Sequence, residues 1–113
     1  MPTTDLDLVR GTVDLLILQT LRPGPLHGYA IASRIRQRSD GELLLEEGAL
    51  YPALHRLEAR DLVEAEWGIT QTGRRARYYS LTAQGRKHLK AETATWHRYV
   101  AAVARVLEPA GGS

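Results

Sequence analysis

The histidines are the side chains of this chain best suited to acid–base chemistry, because an imidazole changes charge near neutral pH. No serine or carboxylate motif that would activate a nucleophile lies near them in the sequence, and no glycine-rich loop has phosphate-binding spacing. The sequence therefore predicts that the protein is not an enzyme and carries no cofactor. The histidines stand at positions His27, His55, His88 and His97.

A metal site is the chemical alternative. His88 and Glu92 are spaced i, i+4, which places both on one face of a helix, and His97 lies further along. The neighbouring Lys87 and Lys90 favour a solvated charged surface for this pair. Since the chain has no cysteine, a site for a soft metal is not expected, and no residue is assigned as a metal ligand.

The distribution of charge points to a different kind of partner. The net charge is only +2, but no carboxylate occurs between Glu66 and Glu92. A run of this kind is often only a solvated face, yet a localised basic stretch is also how proteins attract phosphates. The basic residues in this interval are Arg74, Arg75, Arg77, Arg86, Lys87 and Lys90, and a second set comprises Arg34, Arg36 and Arg38.

Residues 46–63 contain the helix around which the chain is organised. Leu50, Leu54 and Leu57 recur at i, i+4 and i+7, so they form one apolar stripe. Pro52 lacks an N–H and belongs in the first turn, so the helix should begin near Gly48. The face opposite the stripe could enter a groove, and it carries Gly48, Pro52, His55, Arg56 and Ala59, with Tyr51 at its edge.

A β-hairpin is predicted directly after this helix. Residues 62–68 and 76–81 alternate as two short strands that are rich in β-forming residues. The turn between them contains Gly73, Arg74 and Arg75. A helix followed by a hairpin with a basic tip is typical of a winged helix-turn-helix.

Two helices should precede the organising helix. The first is predicted from about Gly11 to Leu21, with Thr12 as its N-cap, and Asp14 interrupts the second of its apolar faces. The second should run from about Gly28 to Arg38, ended by Ser-Asp-Gly. Leu43–Leu45 is expected to form a short strand that pairs with the base of the hairpin.

A long helix should close the chain, from Ala83 to about Leu107, with Thr82 as its N-cap. Its apolar seam repeats every seven residues, and a monomer leaves little to bury it against, so we expect self-association. The seam consists of Leu89, Thr93, Trp96, Val100, Val103 and Leu107. The predicted fold is mainly α with a small β-wing: a winged helix-turn-helix domain at 1–82, a dimerisation helix at 83–108 and a flexible tail at 109–113.

Length and composition fit one ordinary globular domain of 113 residues. The absence of cysteine fits an intracellular setting. Met1–Asp7 is polar and acidic, so we expect a loose segment and no signal peptide there. The longest apolar run, Leu15–Leu18, is far too short to span a bilayer. A cytoplasmic location without a membrane partner is therefore expected.

Three motifs in order resemble the PadR family of bacterial transcriptional regulators. They are Leu-His-Gly-Tyr-Ala-Ile at 26–31, Glu-Gly-Ala-Leu-Tyr-Pro-Ala-Leu at 47–54, and Arg-Tyr-Tyr-Ser-Leu-Thr at 77–82 followed by Gly85. The resemblance covers about residues 8–107. It implies a homodimer that binds double-stranded operator DNA at an inverted repeat, usually to repress detoxification or efflux genes.

The resemblance also assigns the DNA-facing residues. It places the N-terminal half of the organising helix in the major groove, the hairpin tip on the minor groove or backbone, and Tyr29 near the backbone. With Arg56 from the outward helix face and Arg77 from the basic run, the candidate DNA-binding set is Tyr29, Gly48, Ala49, Tyr51, Pro52, His55, Arg56, Gly73, Arg74, Arg75 and Arg77.

Two positions depart from the family pattern. Many members have Ser or Thr where this chain has Ala49, so a hydroxyl–phosphate contact is missing. Many members have Gly where this chain has Asp61, but Asp tolerates left-handed backbone geometry and the turn should survive.

Trp96 is large for a dimer seam, and a core role is one reading of it. In some short PadR-like regulators, however, a tryptophan at this place stacks against flat, often cationic drugs between the subunits. The resemblance thus implies an effector site formed by Asp14, Leu18, Leu89, Trp96 and Val100. A metal-responsive winged-helix repressor, or a protein-interaction module without DNA binding, remains the alternative function.

Overall fold

The computed structural model describes residues 10–110. The segment Met1–Asp7 and residues 111–113 of the predicted tail lie outside this range. Within it the elements are α1 Arg10–Thr20, β1 Leu26–His27, α2 Gly28–Arg38, α3 Glu47–Ala59, β2 Val63–Ile69, β3 Arg75–Leu81 and α4 Ala83–Leu107. This order of helices and hairpin confirms the winged helix-turn-helix with a long C-terminal helix.

The core lies where the first three helices meet the sheet. The predicted stripe of α3 is fully buried there, because an apolar face at helical spacing is removed from water only by packing on neighbouring elements. α1 contributes two apolar faces, as its sequence suggested. The largest fully buried side chains are Ile17, Leu18, Leu21, Ile31, Leu50, Leu54, Leu57 and Val63.

The sheet has three antiparallel strands in the order β1-β3-β2. In the hairpin, Val63 pairs with Leu81 and Ile69 with Arg75. The third strand is the two-residue β1, in which Leu26 pairs with Tyr79. The prediction that Leu43–Leu45 would be this strand is wrong. A strand of two residues has no alternation to detect, and Leu43 and Leu45 pack against the core from an irregular segment instead.

The first and third helices begin within one residue of the prediction, but two details of their first turns differ. Thr12 lies inside α1, which already includes Arg10, so its prediction as an N-cap is wrong. α3 begins at Glu47, so Pro52 is its sixth residue and stands in the second turn rather than the first. The missing N–H of Pro52 leaves the carbonyl of Gly48 without its helical donor, and Gly48 is exposed, so water can reach that carbonyl.

A tight junction joins the end of α3 to the start of α4. Asp61 adopts the left-handed conformation with φ of 62°, which confirms that aspartate keeps this turn. The Thr82 hydroxyl donates to the Asp61 carbonyl at 2.6 Å and accepts from the Gly85 N–H at 2.9 Å, so the predicted N-cap is confirmed. A Cβ at Gly85 would collide with the Leu62 carbonyl oxygen. These contacts therefore fix the directions of the hairpin and of α4 relative to the end of α3.

α4 runs from Ala83 to Leu107 as predicted, for 25 residues. Gly85 and Leu89 are buried, so the first turns of α4 pack with the winged helix-turn-helix. Beyond them the seam is increasingly open, and Leu107 is 77% exposed. No helix within residues 10–110 is long and apolar enough to cross a membrane.

Candidate nucleic-acid interface

One face of α3 is open to solvent while the opposite face is buried. Because 100° separates successive residues, burial of the leucine stripe leaves the small and polar residues of the first three turns pointing outward. Ala49 is partly covered, and the exposed members of the predicted set on α3 are Gly48, Tyr51, Pro52 and His55. The sequence thus anticipated which face of α3 is accessible.

Tyr51 is held at the edge of this face by a glycine of α2. A Cβ at Gly28 would lie 2.5 Å from the Tyr51 hydroxyl oxygen, so a larger residue there would push the phenol aside. The phenol therefore rests on the start of α2 and stays exposed on its other side.

Tyr29 is exposed in the first turn of α2. His27 caps this helix, since its Nδ1 accepts a hydrogen bond from the Ala30 N–H at 3.3 Å. The imidazole also stacks on Tyr29, with 6.5 Å between ring centroids, and meets Tyr78 edge-on at 5.3 Å. His27 therefore orients Tyr29, a role that the sequence did not suggest.

Two ion pairs connect α3 to its neighbours. The Arg56 guanidinium donates to the Asp14 carboxylate of α1 at 2.8 Å, and Arg77 of β3 donates to Glu58 at 2.9 Å. Both arginines were assigned to DNA by the sequence, but in the structure each faces a carboxylate. Their charges are compensated within the chain, so they are less suited to bind phosphates than an arginine without a partner.

The hairpin tip carries two arginines that have no ion-pair partner among the described residues. Gly73 has φ of 85°, and the Thr70 hydroxyl accepts from the Arg74 N–H at 3.1 Å, which closes the turn. Arg74 and Arg75 are exposed. Neither forms an ion pair with any residue between 10 and 110. Strong positive charge is therefore concentrated at the wing tip.

Tyr79 marks the boundary between the wing and the core. Burial raises the pKa of its phenol above the usual value, while the neighbouring Arg77 guanidinium lowers it in part. Arg77 also lies over the Tyr79 ring, 5.6 Å from its centroid. The phenol is thus neutral near pH 7, and it acts as a packing residue under the wing.

The five candidate effector residues have different environments within one chain. Leu18 and Leu89 are buried in the core, so they can line a ligand site only if the core opens. Asp14 is paired with Arg56. Trp96 is half-buried with Tyr99 6.0 Å away between ring centroids, and Val100 is exposed. In the single chain, Trp96 and Val100 are the accessible members of the set.

Trp67 is a residue of the interface that the sequence reasoning did not single out. The Arg75 guanidinium lies over its ring at 4.5 Å from the centroid. The hairpin register could have indicated this contact. Trp67 pairs with Arg77, and Arg75 lies two residues from Arg77 on β3, so its side chain projects from the same face of the sheet.

For the metal alternative, no group of three potential ligands that could hold an ion occurs among the residues described.

Comparison with known proteins gives one consistent result. Residues 17–91 match the family described as "Transcriptional regulator PadR-like family". The chain is similar to a transcriptional regulator from Clostridium thermocellum, with 31% identity and a TM-score of 0.81 over 90% of this chain and 96% of that one.

Two further relatives extend this result. A PadR family transcriptional regulator from Eggerthella lenta shares 33% identity and a TM-score of 0.75 over 93% of this chain and 89% of that one. A curated relative, "Uncharacterized protein X" from Lysinibacillus sphaericus, is 30% identical over 90 residues, which are 80% of this chain and 83% of that protein.

Proposed function

Because the chain belongs to the PadR-like family of transcriptional regulators, we propose that it is a repressor that binds an inverted-repeat operator as a homodimer. Members of this family are DNA-binding proteins and not enzymes, and this chain is a regulator of that kind. Its target genes, in this proposal, serve detoxification or efflux. Such a regulator acts where the DNA lies, so we expect a cytoplasmic location.

The accessible face of α3 is the observation that carries the proposal. Its first three turns expose small residues and two hydrogen-bonding rings, those of Tyr51 and His55. Small residues let a helix approach base edges closely in the major groove, where each base pair presents a distinct pattern of donors and acceptors. We assign sequence reading to this face.

The wing tip supports a complementary role. Arg74 and Arg75 are exposed and have no carboxylate partner among residues 10–110. Guanidinium groups bind phosphates and favour narrow minor grooves. These contacts would position the protein on DNA without selecting a sequence. Tyr29 is exposed in the first turn of α2, and it is assigned to the backbone as well.

The C-terminal part of α4 supports the homodimer. Val106 is 83% exposed, and Val103 and Leu107 of the predicted seam are also open to solvent. Apolar side chains in a row on one helix are stabilised by burial against a second copy. A two-fold dimer presents two copies of α3, which should meet half-sites about one helical turn apart, roughly 34–36 Å.

The test measures both the oligomeric state in solution and DNA binding. Light scattering at micromolar concentration should give a dimer, and footprinting of the region upstream of its own gene should give a symmetric protected site. Val103→Glu should weaken both, because it places a charge in the seam. Ala101→Glu adds the same charge at an exposed position outside the seam and its flanking positions, and serves as the control. A monomeric wild-type protein, or no preference for any promoter fragment, would contradict the proposal.

A ligand response completes the proposal. A planar aromatic compound would stack on Trp96 between the subunits, where an indole offers dispersion and cation–π attraction. The Asp14 carboxylate would favour a positively charged ligand. Such a compound relieves repression only if it binds the DNA-competent dimer less well than another dimer geometry.

A further inference from the structure

The two faces of the wing differ in charge. Side chains alternate along a strand, so β2 places Ala65, Trp67 and Ile69 on one face and Glu64 and Glu66 on the other. Both glutamates are exposed. Two carboxylates would repel the phosphates of a DNA backbone, so the glutamate face is unsuited to lie against DNA.

The opposite face is basic and aromatic. In the hairpin register Trp67 pairs with Arg77 and Ile69 with Arg75, which puts both arginines on the Trp67 face. Arg77 is compensated by Glu58 at 2.9 Å. Arg75 instead lies over the Trp67 ring, 4.5 Å from its centroid, and forms no ion pair with the residues that the structure describes.

Trp67 has no core role that would explain it. The indole is 60% exposed and stands outside the buried cluster. It also lies diagonally across from Arg75 in the ladder, a separation that long side chains can bridge. Its defined contact in the chain is therefore the one with the guanidinium.

An aromatic partner affects an arginine differently from a carboxylate. The ring attracts the guanidinium face but leaves its charge uncompensated and its N–H donors in the plane free for an anion. The stack also reduces the freedom of a long side chain, so less entropy is lost when the arginine binds. Arg75 is thus both oriented and available.

We propose that Trp67 is a positioning residue for DNA binding, which holds Arg75 for a backbone phosphate, and that the Trp67–Arg75 face of the wing is the one that meets DNA. This inference rests on the proposed function, since it names how the wing engages the same partner.

The experiment measures affinity for a short random-sequence duplex across a salt series, with the intact protein. Arg75→Ala should lower the salt slope by about 0.9 for a lost phosphate contact. Trp67→Ala should weaken binding about two- to five-fold, the effect expected of an exposed cation–π pair. In the double variant, Trp67→Ala should cause no further loss, because its effect acts through Arg75.

The decisive comparison distinguishes the effect of an aromatic ring at position 67 from the effect of apolar bulk alone. Trp67→Phe keeps an aromatic face and should retain part of the affinity, whereas Trp67→Leu keeps apolar bulk and should behave like Trp67→Ala. Ile69→Ala removes an apolar side chain that is 64% exposed on the same face and should bind like the wild type. The Phe and Leu pair decides the question even if Trp67→Ala fails to fold.

Two outcomes would overturn the inference. One is an equal loss from Trp67→Ala with and without Arg75, and the other is wild-type binding by Trp67→Leu. If Arg74→Ala weakens DNA binding while Trp67 and Arg75 variants do not, the proposed function stands and this inference fails. Absence of any salt-dependent DNA binding by the wild type would instead contradict the proposed function itself.

Discussion

His55 on α3 and Arg74 at the wing tip are both exposed, but they differ in what they can recognise. An imidazole on a helix face can pair with base edges, whereas a guanidinium at a loop tip reaches phosphates of any sequence. We predict that Arg74→Ala weakens specific and random DNA together and lowers the salt slope by about 0.9 for a lost phosphate contact.

His55→Ala should instead reduce the ratio between specific and random DNA while leaving the salt slope unchanged. Both variants are compared on the footprinted fragment and on a random duplex of equal length. Each is an exposed side chain, so thermal unfolding should match the wild type and exclude a folding defect. If Arg74→Ala changes the ratio and His55→Ala changes the slope, the assignment of helix and wing is reversed.

Some contacts between single residues could not be predicted from the sequence. Helical spacing indicated that Arg56 lies away from the leucine stripe, but its partner Asp14 is 42 residues distant in the chain. No local pattern reveals such a contact, since it depends on how α1 packs against α3. The same holds for Trp67 and Arg75, which meet only once the hairpin register is known.

At the scale of elements, the junction between α3 and α4 determines the direction of α3, the helix proposed to read DNA. Thr82 caps α4 and donates to the Asp61 carbonyl, while Gly85 lies against the Leu62 carbonyl. We predict that Thr82→Ala lowers the free energy of unfolding by about 1 kcal/mol, as for other lost N-caps. Gly85→Ala should cost more, because its Cβ meets backbone rather than a side chain that can rotate.

Chemical denaturation followed by circular dichroism measures both changes. Gly11→Ala is the matched control, because its added Cβ has nothing within 4 Å, and alanine in a helix should be neutral or stabilising. Gly85→Ala should also weaken DNA binding if it folds, since a displaced junction tilts α3. Equal stability of the Gly85 and Gly11 variants would show that the junction is not under this constraint.

The elements were predicted well where a pattern was long. The stripe of α3, the full range of α4 and the alternation of the hairpin each repeat a spacing several times, so they could be read from the sequence. Leu26–His27 could not, because two residues form a strand only by pairing with β3. Leu43 and Leu45 are apolar because they pack against the core, and not because they pair with a strand.

For the whole molecule, the ion pair between Asp14 and Arg56 connects the region of the proposed effector site to α3, the helix proposed to read DNA. Arg56 belongs to α3, and Asp14 belongs to α1, which packs against α4. A cationic ligand near Asp14 would compete with Arg56 for the carboxylate. Loss of that contact would loosen one of the two ion pairs that hold α3, which gives the ligand a physical route to lower DNA affinity.

The last prediction concerns Trp96, which is half-buried in one chain and stands outside the core cluster. Under the proposal that Trp96 lines the ligand site, Trp96→Ala should keep dimerisation and DNA binding but lose the response to a planar aromatic cation, because the stacking surface is gone. Tryptophan fluorescence reports binding of the compound to the wild type, with Trp67 as background signal. Gel shifts with increasing compound then report the response of DNA binding.

Two controls make this comparison decisive. A compound that binds the DNA itself would act equally on wild type and Trp96→Ala, so only a difference between the two proteins counts as an effector response. Asp14→Asn should lower affinity for the cation more than for a neutral compound of the same shape, because it removes the charge and keeps the volume. If Trp96→Ala dissociates into monomers, the indole is a seam residue required for assembly, and the effector site is not at this position.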